Sequence, residues 1–260
     1  RTLAMSAYAD LECSVISELP PGRTPVNTAL ISNSRRAQVT ERILQACNSG
    51  QQAYWVCTLI EESEQLQAQA AEATAESLRS KLQNLKVGLI HGRMKTAEKQ
   101  EIMTGFKQGD IHLLVATTVI EVGVDIPNAS LMVIENPERL GLAQLHQLRG
   151  RVGRGSTQSH CIMLYQTPLS ENSKKRLTVM RESTDGFFIA EQDLELRGPG
   201  QVLGTQQTGL MTFRIADIGR DSLMLDDVKR TSEELSARYP ESVDPLIRRW
   251  IGERLEFVNV

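Results

Sequence analysis

Aromatic residues and long apolar runs are both scarce in this chain. Aromatics make up 4% of the 260 residues, so Leu, Ile, Val, Ala and Met have to build the core. No apolar run approaches the roughly 18 residues that a membrane helix needs, and the first residues lack the charged and apolar leader of a signal peptide. These absences predict a soluble protein with no membrane partner. The chain also begins without Met, from which we expect it to belong to a longer protein.

The cysteines show none of the spacing that is typical of metal sites. Cys13, Cys47, Cys57 and Cys161 are far apart and form no C-x-x-C motif, and none of the four histidines stands at ligand spacing from them. We therefore predict free thiols in a reducing cytoplasm and no bound metal.

A phosphate-binding loop is missing as well. The chain contains no G-x-x-x-x-G-K-[ST] motif, whose backbone amides and lysine cradle nucleotide phosphates. It also has no Asp-Glu pair at a strand end to hold Mg²⁺. The net charge of −3 argues against a surface covered with nucleic-acid contacts but leaves room for a local basic track.

Short apolar runs alternate with helical patterns between residues 26 and 165. Predicted strands cover residues 27–32, 53–57, 87–91, 112–116, 131–134 and 161–165. Most of them are continuously apolar, as strands buried on both faces of a parallel sheet are. Between them we predict a helix closed by Gly50, a long helix within 62–85, and a helix that Thr96 caps and Gly109 ends. The alternation predicts an α/β fold with a parallel sheet flanked by helices.

The pattern changes after Pro168. Residues 170–182 and 187–197 predict a pair of helices, the second stopped by Gly198-Pro199. A glycine-rich segment follows at 198–209, and two short amphipathic helices separated by Pro240 are predicted from residue 221 onward. A helical hairpin and a helical tail therefore follow the sheet.

Residues 147–154 (QLRGRVGR) carry the strongest chemical signal in the chain. Gln147, Arg151 and Arg154 are spaced i, i+4 and i+7, which places them on one face of a helix, and Arg149 adds a further polar group nearby. Two glycines inside a helix would each cost about 1 kcal/mol relative to Ala, which indicates close approach of a ligand or another backbone. Paired guanidiniums suit a polyphosphate. A solvated basic helix face is the alternative.

Since the chain lacks its own phosphate cradle, the cradle is expected in another lobe. Arg151 and Arg154 would then act as fingers that reach a nucleotide held across a cleft.

Two hydroxyl groups follow the predicted strand that ends at Ala116. Thr117 and Thr118 stand at the carboxyl end of a parallel strand, where α/β proteins place ligands. Together with the segment EVGVD, which includes Gly123 and Asp125, they could hold a phosphate and then a sugar or a metal. A plain helix cap is the alternative.

A second strand end carries basic side chains. His91 and Gly92 end the third predicted strand, and Arg93, Lys95 and Lys99 follow. Such a loop can grip a nucleic-acid backbone through its phosphates, although a solvated helix start has the same composition.

Two later features are less specific. Residues 174–176 (KKR) form a basic run on the first hairpin helix, which a solvated face would also explain. In the glycine-rich segment, four glycines surround Gln206 and Gln207, whose amides can bond backbone or phosphate without adding charge. A plain surface loop is the alternative there.

Together these segments resemble the superfamily-two helicases. Residues 114–127 (LVATTVIEVGVDIP) are similar to motif V, residues 147–154 to motif VI, whose two arginines reach the γ-phosphate, and residues 91–94 (HGRM) to a neighbouring DNA-contacting motif. Three further stretches closely resemble a bacterial fork-reversal translocase of this superfamily, at residues 136–147, 185–200 and 204–207. The similarity runs from residue 1 to residue 260.

The resemblance implies a second RecA-like motor domain followed by a translocation-motif hairpin. The implied segments are a connector after motif III at 1–25, the motor domain at 26–168, the hairpin and its loop at 169–215, and a C-terminal helical extension at 216–260. The implied catalytic residues are Gln147, Arg151 and Arg154, and the implied nucleotide-binding residues are Gly123 and Asp125. The implied DNA-binding residues are His91, Gly92, Arg93, Thr117 and Thr118. The implied coupling residues are Arg176, Arg197, Gln206 and Gln207.

The function implied is that of one motor lobe of an ATP-dependent DNA helicase. Such a protein, cytoplasmic and nucleoid-associated in bacteria, would remodel stalled replication forks and Holliday junctions in recombination and repair. ATP and Mg²⁺ would be held mainly by a first motor domain absent from this chain, which is therefore expected to be inactive alone. That domain, a wedge domain and branched DNA would be its partners.

Two alternatives remain open. One is a lobe of a transcription-repair coupling translocase, which shares the hairpin. The other is a DNA-binding or docking module with no motor role.

Overall fold

The computed structural model of the protein describes residues 25–58, 64–117, 126–155, 157–197 and 224–251. It divides into two compact units. One runs from Glu18 to Leu196, and the other combines Arg1–Ser17 with Arg197–Val260. The first unit contains a sheet and the helices packed on it, and in the second the structure describes two helices.

Six parallel strands form the sheet of the first unit. They are β1 (Asn27–Ser32), β2 (Gln52–Cys57), β3 (Val87–Ile90), β4 (Leu113–Thr117), β5 (Ala129–Glu135) and β6 (His160–Tyr165). Their order is β1-β6-β5-β2-β4-β3, and every pairing is parallel. β2, β4 and β5 are buried along their whole length, which explains why their sequences are continuously apolar. All six predicted strands are confirmed, with ends that shift by at most two residues.

Helices cover both faces of this sheet. On one face lie α1 (Arg36–Asn48) and α2 (Glu64–Lys81), which pack on the side of Trp55. On the other face lie α3 (Thr96–Gln108), α4 (Leu142–Arg149) and α5 (Glu171–Glu182), which pack on the side of Tyr54. α6 (Gly186–Arg197) follows α5 and adds Ile189 to this second core. The two cores hold the sheet between helical layers, as the alternating sequence predicted.

The predicted ends of α3 are half right. Gly109 ends the helix with φ of +87°, a left-handed conformation that glycine adopts without strain. Thr96 is the first helical residue but does not cap the helix. Instead, the Glu98 side chain accepts a hydrogen bond from the backbone N–H of Lys95 at 3.1 Å. A carboxylate also suits the positive end of the helix dipole, which explains why Glu98 takes this role.

The second unit contributes α7 (Leu225–Arg238) and α8 (Pro240–Ile251), which pack against each other. Pro240 opens α8, a position where a helix does not need the missing N–H. The predicted division at Pro240 is therefore confirmed. In the part of the chain that the structure describes, no helix combines the length and apolar character needed to cross a bilayer.

Candidate functional site

The predicted site residues fall into two groups on different sides of the sheet. His91 directly follows β3 and Thr117 ends β4, and these two strands are neighbours, with Ile90 paired to Ala116. This group therefore lies at the carboxyl edge of the sheet. The other group, Arg151 and Arg154, lies in the segment between α4 and the start of β6.

This arginine segment lies on the amino-edge side. Arg149, at the end of α4, contacts Thr28, the second residue of β1. Gly155 lies against Pro127, two residues before β5 begins. The strands are four to seven residues long, which corresponds to about 13–23 Å, so the structure keeps the two groups apart.

The prediction that Gln147, Arg151 and Arg154 share one helical face is wrong. α4 ends at Arg149, and Gly153 has φ of +82°, which no right-handed helix contains. Gln147 is exposed on the last turn of α4, whereas Arg151 is half-buried and Arg154 exposed in the irregular segment beyond it. The two glycines end the helix and turn the chain, so they carry no helical penalty.

A close backbone approach occurs at Gly155, a glycine that the sequence analysis did not single out. A Cβ atom there would overlap the backbone carbonyl oxygen of Pro127. Only glycine therefore lets the arginine segment pack against the end of residues 114–127, the stretch that resembles motif V.

Arg149, the further polar residue of this segment, bonds within the fold. It is 3% exposed, and its Nη1 donates to the carbonyl oxygens of Met180 at 2.7 Å and Ser183 at 2.8 Å. Burial lowers the pKa of this guanidinium, although arginine stays charged in proteins. The two carbonyls belong to the end of α5, where the helix dipole is negative and favours a cation. Arg149 therefore fastens the end of α4 to the end of α5.

Arg176, predicted as a coupling residue, makes the matching connection at the other end of α4. Its guanidinium donates to the carbonyl oxygens of Glu138 and Leu140, both at 2.8 Å. These carbonyls flank Arg139 in the turn that precedes α4. We call Arg149 and Arg176 the arginine bracket, because together they hold both ends of α4 against α5.

The tip of the hairpin adds a further contact to this arrangement. A Cβ at Gly186, the first residue of α6, would lie 3.3 Å from Nε2 of His146 on α4. The hairpin therefore packs against the helix that leads into the arginine segment.

At the carboxyl edge, His91 is a largely enclosed side chain. Its Nε2 lies 3.4 Å from Oε1 of Glu72 on α2, and the side chain is 11% exposed. Its Nδ1 is buried and has no hydrogen-bond partner within the described ranges. Thr117 is also buried, as the last residue of β4 paired with Cys57. Neither side chain presents a large surface to a ligand.

Gly92 and Arg93 are the accessible members of this group. Both are exposed, and the carbonyl of Gly92 accepts a hydrogen bond from Nζ of Lys99 at 2.8 Å. Lys99 therefore stabilises the loop after β3, and the Arg93 side chain on this loop is exposed.

The structure describes only part of the predicted site. Thr118, Gly123, Asp125, Gln206 and Gln207 lie outside the described residues, and so does the glycine-rich segment at 198–209. Arg197 is the last residue of α6, and its side chain is likewise not described.

The carboxyl edge also holds a partly buried ion pair that sequence reasoning missed. Glu135, the last residue of β5, accepts hydrogen bonds from Nη2 of Arg36 and Nε1 of Trp55, both at 2.7 Å. The Arg36 guanidinium lies over the Trp55 ring at 5.2 Å. Burial raises the pKa of the Glu135 carboxyl, and Arg36 and the Trp55 hydrogen bond partly offset this rise. A single acidic residue at the end of an apolar strand was the only available signal.

Three cysteines are free and buried, namely Cys47, Cys57 and Cys161. Burial raises the pKa of the Cys47 thiol to about 11 and those of Cys57 and Cys161 to about 12. Such thiols stay protonated and unreactive at neutral pH. The prediction of free thiols is confirmed for these three.

Comparison with known families accounts for most of the chain. Residues 27–156 match the family described as Helicase conserved C-terminal domain. Residues 183–251 match ATP-dependent DNA helicase RecG, domain 3, C-terminal.

Two curated relatives show the extent of the similarity. The chain is 63% identical over 260 residues to ATP-dependent DNA helicase RecG of Escherichia coli (strain K12). It is 60% identical over 261 residues to the protein of the same name from Pasteurella multocida (strain Pm70). Each alignment covers 100% of this chain and 38% of the relative, so the chain spans well under half the length of these relatives.

A solved structure of RecG bound to a three-way DNA junction is similar in fold, with a TM-score of 0.67 and 44% identity. The alignment covers 86% of this chain and 29% of that chain. The resemblance drawn from the motifs is thereby confirmed, as is the RecA-like parallel sheet flanked by helices. The chain belongs to the family of helicase conserved C-terminal domains and is homologous to RecG.

Proposed function

We propose that this chain is the second motor lobe of an ATP-dependent DNA helicase that remodels stalled replication forks and Holliday junctions in recombination and repair. The observation that supports the proposal is how the segment with Arg151 and Arg154 is held in the fold. Their segment packs against Pro127 through Gly155 on one side and is fastened to the hairpin through Arg149 on the other. When these arginines bind or release a nucleotide, a shift of their segment would be transmitted through these contacts to the hairpin.

In this proposal Arg151 and Arg154 act on the γ-phosphate of ATP. Two guanidiniums stabilise the charge that develops on the phosphoryl oxygens during transfer. Gln147, exposed at the end of α4, and Gly123 and Asp125 would add contacts to the nucleotide.

The phosphate cradle and Mg²⁺ are assigned to the first motor domain of the same protein. Within the described ranges, no group of three His, Cys, Asp or Glu side chains could hold a metal ion. The donor set present here fits a role in binding phosphate oxygens through arginine, with the metal ligands supplied by the other lobe.

DNA is assigned to the carboxyl edge. Arg93 and the backbone of Gly92 are exposed there and would contact backbone phosphates, and Thr118, the next residue after β4 in the sequence, would add a further contact. Since His91 and Thr117 are largely buried, we propose that they position this edge for the DNA. The homologous RecG structure, which is bound to a three-way DNA junction, supports a branched substrate.

Coupling between the two regions is assigned to the hairpin. The arginine bracket makes α4 and α5 move together, and α6 leads to Arg197 and then to Gln206 and Gln207. We propose that this glycine-rich segment transmits motion to DNA. The proposed segments stay as the sequence predicted them, at 1–25, 26–168, 169–215 and 216–260. A wedge domain would be part of the same protein. We further propose that the protein is associated with the bacterial nucleoid.

The alternatives are less well supported. Identity of 63% to RecG along the whole chain and the match of residues 183–251 to a RecG domain favour this helicase over a transcription-repair coupling translocase. A docking module without a motor role leaves the mounting of Arg151 and Arg154 unexplained.

The test is Arg151→Ala in the full-length protein. We expect DNA-stimulated ATP hydrolysis to fall about 10³-fold, because an arginine finger contributes on that order to kcat, while binding to a three-way junction stays unchanged. Steady-state hydrolysis and gel-shift titration measure the two quantities. Arg42→Ala, at an exposed arginine of α1, is the matched control. Hydrolysis within a few-fold of wild type would overturn the finger role.

A further inference from the structure

Arg139 is an exposed arginine at the carboxyl edge that the proposed function leaves without a role. Arg139 ends the short helical turn Pro137–Arg139, which follows β5 and precedes α4. It is exposed, and its side chain makes no hydrogen bond or ion pair to any residue that the structure describes.

The backbone around Arg139 is held on both sides. Arg176 donates to the carbonyls of Glu138 and Leu140, the two neighbours of Arg139. One step earlier, the carbonyl of Asn136 accepts a hydrogen bond from Thr58 at 3.1 Å. A side chain on a fixed backbone loses little conformational freedom when it binds a ligand. Arg139 is thus an accessible cation on a rigid support.

Where the structure describes the chain, the neighbouring carboxylates do not pair with Arg139, so its guanidinium is available to bind an anion. The Glu135 carboxylate is already paired with Arg36 and Trp55. Glu138 has one carboxylate oxygen, Oε2, that is buried without a hydrogen-bond partner among the described residues. Within the described ranges, no carboxylate forms an ion pair with the Arg139 guanidinium.

Arg139 and Arg93 stand at the ends of strands in one sheet. The order β5-β2-β4-β3 separates them by three strand spacings, roughly 14 Å at about 4.8 Å each. One strand of a DNA duplex advances about 3.4 Å per nucleotide. The ends of β5 and β3 are therefore separated by about the axial rise of four nucleotides of one DNA strand, so a single bound duplex can pass both.

We propose that Arg139 binds a backbone phosphate of the DNA and forms, with Arg93, a two-point anchor along the carboxyl edge. The proposal rests on the proposed function, since it extends the DNA contacts assigned there. It also ties DNA to the coupling element. A phosphate bound at Arg139 contacts the very turn that Arg176 fastens to the hairpin.

The experiment measures the salt dependence of DNA binding by the full-length protein. Binding of a labelled three-way junction is followed by fluorescence anisotropy at a series of NaCl concentrations. The variants are Arg139→Ala, Arg139→Gln and Arg139→Lys, with Arg42→Ala as the matched control.

Loss of one phosphate contact should make the slope of log K against log[NaCl] less negative by about 0.9. We expect this change in both Arg139→Ala and Arg139→Gln, with several-fold weaker binding at physiological salt. Arg139→Lys keeps the charge and should keep the slope, as should Arg42→Ala.

An unchanged slope in Arg139→Gln would overturn the proposal. So would an equal change of slope in Arg139→Lys, since the charge is retained there. If the wild-type protein itself binds the junction without salt dependence, the proposed DNA-binding function fails first. If only the Arg139 anchor is wrong, the wild-type protein shows a salt-dependent slope and Arg139→Gln shows the same slope.

Discussion

Arginine has opposite roles in the arginine bracket and at the carboxyl edge. Arg149 is buried and gives its donors to carbonyl oxygens of the protein. Arg93 and Arg139 are exposed and make no side-chain hydrogen bond or ion pair within the described ranges. An arginine whose donors are satisfied internally can only join elements of the fold, whereas an arginine left accessible can bind an anion. The role of an arginine is therefore decided by its acceptors.

Two glycines show the same difference between an open and a packed region. A Cβ at Gly92 on the carboxyl edge would meet nothing within 4 Å, whereas a Cβ at Gly155 would overlap the Pro127 carbonyl. The carboxyl edge is open to a ligand, and the arginine segment is packed against its own protein.

Replacement of Arg149 should break the packed region. In Arg149→Ala the carbonyls of Met180 and Ser183 lose a charged donor, at a cost of about 3 kcal/mol. Hydrogen exchange of the amides at the end of α5 should then accelerate roughly a hundred-fold through local opening. Amides of β2, in the middle of the sheet, provide the internal control. Unchanged exchange in α5 would show that Arg149 does not fasten the two helices.

The same small substitution should have unequal effects in the two regions. Gly155→Ala forces the arginine segment away from Pro127, and such overpacking costs about 1–3 kcal/mol. Gly92→Ala has free space and is expected to change stability by less than about 0.5 kcal/mol. Thermal unfolding of the two variants measures the difference. Equal effects would remove the distinction between a packed and an open region.

The sequence was a good guide to the strands and a poor guide to the arginine segment. Buried strands carry their signal locally, as continuous apolar runs, and β2, β4 and β5 are all found where these runs predicted. The spacing of Gln147, Arg151 and Arg154 favoured a helix, but the left-handed turn at Gly153 ends that periodicity.

Long-range partners explain the remaining errors. Arg149 bonds to carbonyls 31 and 34 residues away, and Glu135 pairs with Arg36 from a distant part of the chain. Backbone carbonyls leave no mark in a sequence, so a buried arginine that serves them has the same local pattern as one that binds phosphate.

The central claim is that the arginine bracket couples the nucleotide region to the DNA region. The most direct measurement is the amount of three-way junction unwound per ATP hydrolysed by full-length Arg176→Ala. Arg181→Ala is the matched control, because Arg181 lies on the same helix, is exposed and bonds only to its neighbour Glu182 among the described residues. We predict that Arg176→Ala retains hydrolysis within a few-fold while unwinding falls at least about tenfold. A fall of hydrolysis and unwinding in equal proportion would contradict the claim.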